Sequence, residues 1–305
     1  MKVGLALGGG GARGFAHIGV LEVLEQEKIP VNIISGTSMG AVVGALYAQK
    51  KSVEFVKDKI FSLIDRDILK ELEDKFSIAQ AADKVQNPHL KQTVLFVKEL
   101  YLWNIRLVKK WLIDYKPFEV LFKEVFDQVE FSDCEIPFVC MATDLIAGKE
   151  VCLQDGFLYE ALLASTALPG VFPPLKLNER FLVDGGVLES LPTQPLVDRK
   201  IDFIAAVNLE RKRKVRFLKS SMNMLLSVDE MRHNKLVEIA MSKADFLFEP
   251  DTLDFGWAEF SKVYEIIDRG RIEAQHRIEE LKKRLRIRKF FPFLKRRQIR
   301  CIQKL

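Results

Sequence analysis

Ile33-Ile34-Ser35-Gly36-Thr37-Ser38-Met39-Gly40 runs straight into Ala41-Val42-Val43-Gly44-Ala45-Leu46. An apolar stretch enters Gly-x-Ser-x-Gly and leaves through small residues. That order predicts a buried strand, a sharp turn and a helix whose first N–H groups lie beneath the Ser38 hydroxyl. Gly36 and Gly40 permit the close backbone approach such a corner demands. Taken alone the pentapeptide is a weak signal and reads first as a serine N-cap, so its surroundings must decide.

On the N-terminal side, residues 2–7 read as a short buried strand. Gly8-Gly9-Gly10-Gly11-Ala12-Arg13-Gly14 is a loop, and Phe15 to Glu27 form a helix with Ile18, Leu21, Val23 and Leu24 apolar. Val31 to Ser35 then make a second strand. Strand, loop, helix, strand is a βαβ unit, which predicts a parallel sheet covered by helices on both faces. Such sheets carry their reactive groups at the carboxyl ends of the strands, where both glycine motifs fall.

Gly9-x-Gly11-x-x-Gly14 also fits the dinucleotide fingerprint. That use needs an acidic residue at the end of the second strand for a ribose hydroxyl. Here the strand ends Ile33-Ile34-Ser35, with no carboxylate, and no Gly-Lys-Ser/Thr follows for a Walker loop. The other use is to aim backbone N–H groups near Gly10 and Gly11 at an oxyanion formed when Ser38 attacks a carbonyl. One such donor lowers a barrier by about 3 kcal/mol. Arg13 either assists electrostatically or pairs with a carboxylate. His17, one turn into the helix, reads as a packed histidine rather than a base.

A serine hydroxyl needs a base within hydrogen-bond reach. His89, His233 and His276 follow it in the chain, each in a charged or helical context that reads as solvated. Leu182-Val183-Asp184-Gly185-Gly186 is the better source: a carboxylate at the end of a buried strand, where the bland alternative is a tight turn. Asp144, after Met141-Ala142-Thr143, is a weaker rival.

Further strands are expected at Ile136 to Ala142, Glu150 to Leu153, Arg180 to Val183 and Ile201 to Leu209. Helices are expected from Leu158 to Ser165 and from about Ser261 to Lys289. Residues 52–130 look helical throughout. Within them Thr93 to Ile113 carries an apolar arc of roughly 200°, suiting either a helix between two layers or a lid touching lipid. Inserted between nucleophile and base, this block is expected to cap the site.

Composition sets the class. With 305 residues, 48% hydrophobic and 29% charged, the chain suits one large globular domain or a domain with an appendage. No apolar run approaches the roughly 18 residues of a membrane span. The N-terminus enters a strand without a signal-peptide pattern, so a cytoplasmic address is expected, with contact at the inner membrane face as an addition. Four separated cysteines read as buried reduced thiols. No ligand spacing calls for a metal or any cofactor. The net charge of +5 hides an asymmetry: past Glu280 there are eleven Lys and Arg and no acid. Interleaved with Phe290, Phe291 and Phe293, the basic tail 282–304 reads as a contact for anionic lipid. A nucleic-acid contact or a solvated tail are the alternatives, nucleic acid the less favoured. Arg211-Lys212-Arg213-Lys214 reads as a charged loop.

These motifs together resemble the patatin-like phospholipases, particularly the compact bacterial members. The resemblance rests on Gly9-Gly10-Gly11-Ala12-Arg13-Gly14 with Phe15 to Leu21, on Gly36-Thr37-Ser38-Met39-Gly40, on Asp184-Gly185-Gly186, and on Pro169 to Pro174 with Leu191-Pro192. It covers about residues 1–50 and 130–210. It implies a three-layer α/β fold with a mainly parallel central sheet and a Ser38–Asp184 dyad without histidine. It also implies an oxyanion hole from the Gly9, Gly10 and Gly11 loop with Arg13 beside it. Gly8, where the family often has Ser or Asp, and Glu189-Ser190, where it often has Asn-Asn, depart from the pattern.

The expected organisation is a catalytic domain over 1–210, holding the cap at about 52–130, and a helical C-terminal extension over 211–305 packed on it. The expected activity is hydrolysis of fatty-acyl esters of phospholipid or lysophospholipid through an acyl-Ser38 intermediate. A non-catalytic membrane-associated or regulatory adaptor and an acyl thioesterase are the alternatives.

Overall fold

The computed structural model describes residues 1–64, 66, 69–70, 73–74, 111, 113–126, 128–210 and 221–291. β1 (Val3–Leu7) and β2 (Ile33–Thr37) pair in parallel with Leu5 opposite Ile34. Both are buried at every position, as strands covered on two faces must be. β7 (Phe203–Val207) adds in parallel to the other edge of β1, and β8 (Phe246–Phe248) to β7. On the far side β3 (Phe138–Asp144) runs parallel to β2.

Direction then changes. β4 (Lys149–Leu153) and β6 (Arg180–Asp184) both pair antiparallel with β3, and β5 (Leu175–Leu177) with β6. Residues 142–144 of β3 pair with β4 and β6 at once, so those two occupy opposite edges. Cys140 and Met141 pair with β2 and β4 at once, so β2 shares the edge of β6. β2 stops at Thr37 opposite Met141, and β6 takes over with Asp184 opposite Ala142. The carboxyl ends of β2 and β6 therefore abut head to head. The Asp184 strand reaches Ser38 by running against its neighbour β3, in a sheet that is mixed rather than parallel throughout.

Alternation along the strands builds three layers. Leu5, Leu7, Ile34 and Val207 face a core shared with α1 (Ala16–Gln26), α2 (Met39–Lys50), α5 (Leu158–Thr166) and α8 (Val263–Phe290). Ala6, Ile33, Ile204 and Ala206 face the other way, onto α6 (Gln194–Asp198) and α7 (Ser221–Lys243). A 3-10 turn, Gly11–Phe15, precedes α1, which begins at Ala16. From the expected helical block come α3 (Val53–Ile64) and α4 (Lys116–Phe126). The expected helix Thr93 to Ile113 lies outside the described residues apart from Trp111 and Ile113. Outside too are His89, Arg211-Lys212-Arg213-Lys214, Cys301 and everything past Phe291.

α8 crosses α1 at two glycines: a Cβ on Gly19 would collide with the Ile267 carbonyl, and one on Gly270 with that of Ala16. Arg271 pairs with Glu22 of α1 at 2.8 Å. The start of the basic stretch is knitted into the body. Lys282 pairs with Glu27 at 2.6 Å, Arg284 donates to the Asp245 carbonyl at 2.8 Å, and Arg288 to that of Asp202 at 2.9 Å. No described helix is long and apolar enough to cross a membrane. The expectation of buried thiols needs correction. Cys140 is buried, but Cys134 is half-buried and Cys152 exposed, because on β4 Val151 and Leu153 turn toward the core and Cys152 faces away.

Candidate active site

Ser38 stands between β2 and α2 with φ +53° and ψ −126°. A non-glycine residue held there carries about 1–3 kcal/mol of strain, so the surroundings must over-determine it. Its N–H donates to the Ser165 Oγ at 2.9 Å, and its carbonyl accepts the N–H groups of Ala41 and Val42 at 2.9 and 3.1 Å. A Cβ on Gly40 would collide with the Leu7 and Gly8 carbonyls, which is why this corner needs glycine. Although Ser38 caps α2 by position, its side chain bonds no helix amide. The hydroxyl instead acts on the Asp184 carboxyl, pulling its pKa down, and both residues line one cavity.

Asp184 is buried, and its backbone N–H donates to the Ala167 carbonyl at 3.0 Å. Its Oδ1 accepts the Gly186 N–H at 2.7 Å. Burial pushes its pKa up to about 6, against the opposing pull of the Ser38 hydroxyl and the Gly186 N–H; the Glu210 charge adds to the rise. The carboxylate is thus a stronger base than a solvated aspartate. The end of α5 holds both groups, Ser38 through the Ser165 side chain and Asp184 through the Ala167 carbonyl. Nothing in Ala164-Ser165-Thr166-Ala167 advertises that role in the sequence.

The glycine loop lies against this pair: a Cβ on Gly9 would sit 3.5 Å from the Ser38 Cβ. The Gly8 N–H donates to the Val207 carbonyl, the Gly9 N–H to that of Ser190 at 2.9 Å, and the Ala12 N–H to that of Trp257 at 2.7 Å. The Gly9 amide is therefore engaged in holding the loop, whereas those of Gly10 and Gly11 lie between the anchored amides of Gly9 and Ala12. Gly11 has φ +59°, and a Cβ there would collide with the Trp257 carbonyl. His17 is fully buried. Its Nε2–H donates to the Gly8 carbonyl at 2.7 Å, and desolvation lowers its pKa to about 4, so the ring is a neutral prop for the loop. Arg13 donates from Nε to the Gly10 carbonyl at 3.2 Å and faces Glu210 at 3.8 Å, the carboxylate-pairing alternative. Gly14, Gly36 and Gly185 are close-packing positions. Cβ atoms there would press on Met39, on the Ala41 Cα at 2.5 Å and on the Met141 carbonyl at 2.5 Å.

Ser38, Asp184 and the loop open into a cavity of about 900 Å³. Its walls are largely apolar, with Phe15 and Val42 at the site, Leu63 from α3 and Phe118 and Phe122 from α4. Arg13, Glu210 and His233 make a polar end.

The model of the patatin-like phospholipase family matches residues 5–197. The chain belongs to that family. It is 36% identical over 208 residues to an uncharacterized NTE family protein of Mycobacterium tuberculosis, covering 68% of this chain and 49% of that one. It is 30% identical over 207 residues to the lysophospholipase NTE1 of Candida albicans, and 31% over 192 residues to human patatin-like phospholipase domain-containing protein 6. Those alignments cover 68% and 62% of this chain but only 13% and 12% of the relatives. The chain thus spans about half the length of the mycobacterial protein and about an eighth of the fungal and human ones. In fold it is similar to VipD of Legionella pneumophila, with a TM-score of 0.50, 14% identity, and 92% of this chain and 67% of that one covered.

Within this patatin-like fold the departures at Glu189-Ser190 leave the framework unaffected. The segment after Asp184 crosses the ends of β1 and β2 and is held through its carbonyls. Glu189 accepts from the Thr37 hydroxyl, Ser190 from the Gly9 N–H and Pro192 from the Ser35 hydroxyl. Those bonds use backbone that any side chain supplies. Asp144 is a turn cap, its Oδ1 accepting the Ile146 and Ala147 N–H groups. His233 lies 3.8 Å from Glu210 at the polar end, and His276 lies on α8.

Proposed function

We propose that this patatin-like protein is a serine acyl hydrolase acting on fatty-acyl esters of phospholipid or lysophospholipid. The reading rests on one observation above the others: a serine at a strained strand–helix corner and a buried carboxylate lining the same largely apolar cavity. As the Ser38 Oγ attacks the ester carbonyl, its proton passes to Asp184. The resulting oxyanion takes hydrogen bonds from the Gly10 and Gly11 amides. Collapse expels the alcohol, which takes the proton back from Asp184. Water then attacks acyl-Ser38, giving its proton to Asp184 and releasing the fatty acid as Ser38 is reprotonated. Arg13 supports the step by fixing the loop carbonyl behind those amides. The names of the lysophospholipase and phospholipase relatives point the same way.

A fluorophosphonate probe should modify Ser38, mapped by peptide mass. Ser38→Ala should lose labelling and at least about a thousandfold of ester hydrolysis. Labelling elsewhere, or an active Ser38→Ala protein, overturns the reading. His233→Ala should stay within a few-fold of the parent; collapse there points to a histidine base.

A further inference from the structure

Helix α7 is built inside out. Asp229, Glu230 and His233, with Arg232 and Leu236, line the cavity, while Ser227 and Val237 are buried and Ala240 packs into the core. At about 100° per residue, Met224, Leu225, Val228, Met231, Leu236 and Ile239 fall on the outward side within an arc of about 140°. All six are exposed, by 39–65%. An apolar stripe of that width is what a surface helix normally turns toward a core, and a patch of this kind on the outside marks a contact.

Two further features say what the contact is. The stripe continues onto the cavity mouth: Leu236 lines the cavity and is exposed, and so are Leu145 after β3 and Val187 after Asp184. Ile146, beside Leu145, is 79% exposed. Three separate elements thus bring exposed apolar side chains to the lining of one cavity. Charge supplies the second feature. The same ideal arc of α7 carries exposed Arg232, at the cavity, and exposed Lys235, which also pairs with Glu238 just outside the arc at 3.6 Å; the ten residues that lead into the helix, 211–220, hold six Lys and Arg and no acid. Cations interleaved with an apolar stripe match a bilayer with anionic headgroups. The side chains enter the headgroup–acyl boundary, and each cation near the surface strengthens binding about fivefold.

We propose that α7 and the apolar rim seat the cavity mouth on an anionic phospholipid bilayer, so that an acyl chain passes into the cavity without crossing water. What enters the cavity rests on the hydrolase reading above; the docking face is tested without turnover. The full chain is sedimented with vesicles of phosphatidylcholine alone and of phosphatidylcholine mixed with phosphatidylglycerol. The triple variant Leu225→Gln, Met231→Gln, Ile239→Gln replaces three exposed side chains that do not line the cavity. The parent should bind the mixed vesicles more tightly than the neutral ones. The triple variant should bind them at least about tenfold more weakly, with an unchanged melting temperature and unchanged hydrolysis of soluble 4-nitrophenyl butyrate. Lys235→Glu, a single exposed change that leaves the apolar face intact, should weaken binding to mixed vesicles alone. Failure of the parent to bind, equal binding to both vesicles, or an unaffected triple variant overturns the proposal. So does a parent dimer that the triple variant dissociates, since the face then belongs to a second copy. Loss of binding in Arg296→Glu, Arg297→Glu, with α7 intact, moves the contact to the chain end and also overturns it. Vesicle binding lost in the triple variant of a protein without esterase activity leaves the docking face standing and sinks the hydrolase instead.

Discussion

At Asp184 the loss of water raises the carboxyl pKa from 3.8 to about 6. The folded chain then holds a proton that the unfolded chain has released anywhere between those values. Stability therefore falls as pH rises through that window, and the full cost, about 3 kcal/mol at most, is present above pH 6. Asp184→Asn is expected to abolish ester hydrolysis yet stabilise the fold by about 1–3 kcal/mol at pH 7.5. Near pH 4 it should gain little. Denaturant melts at both pH values check this. The opposite sign applies to His17, whose pKa falls from 6.5 to about 4. There the unfolded chain binds the extra proton, so stability is lost as pH drops from 6.5 toward 4. In the parent the two effects partly cancel, and Asp184→Asn should expose the histidine limb. In the active protein, kcat/KM should decline tenfold per pH unit below about 6, because only the ionised carboxylate accepts the Ser38 proton.

Among the elements, α5 touches both Ser38 and Asp184. Its last turn supplies the Ser165 hydroxyl to the Ser38 N–H and the Ala167 carbonyl to the Asp184 N–H. Ser165→Ala leaves a strained backbone N–H without its partner, a loss of about 1–3 kcal/mol. On the proposed mechanism it should lower kcat by roughly ten- to a hundredfold, with KM little changed, because the Ser38 hydroxyl is displaced while the cavity is not. Equal kcat in Ser165→Ala and parent, measured with a soluble ester, would show that the corner holds itself. The register of β3 is the other decisive element-scale feature. A shift by one residue between β3 and β6 would put Val183 or Gly185 where Asp184 meets Ser38, and side-chain alternation would turn the carboxylate away.

Over the whole molecule, the family match ends at residue 197, but the core does not. β7 covers the open edge of β1, β8 covers β7, and α8 lays Val263, Ile266, Ile267, Ala274 and Leu281 into the same cluster as α1 and α2. The Gly11 corner itself leans on Trp257. A protein ending at Asp198 should accordingly aggregate or give a molten state, with near-ultraviolet circular dichroism lost and no labelling of Ser38. A cooperative melt and normal labelling in that truncation would show that the C-terminal third is dispensable.

The sequence alone determined whatever depends on local order. The βαβ unit follows from apolar runs broken by glycine, the Ser38 corner from Gly36-Thr37-Ser38-Met39-Gly40, and the candidate carboxylate from its place at a strand end. Its periodicity also located α1, α5 and α8 to within a few residues. β5 and β8 escaped because three residues carry no readable period, and α7 was expected only within a helical extension over 211–305, without bounds of its own. Only the tertiary structure decided that β6 runs antiparallel and meets β2 end to end along β3. It alone revealed the props at Ser165, Ala167, His17 and Trp257, and that the Gly9 amide is already engaged. These are pairings between residues up to about 250 positions apart in the chain. Hydrogen-bond partners of that kind leave no local trace, since a backbone carbonyl is the same whatever side chain it carries.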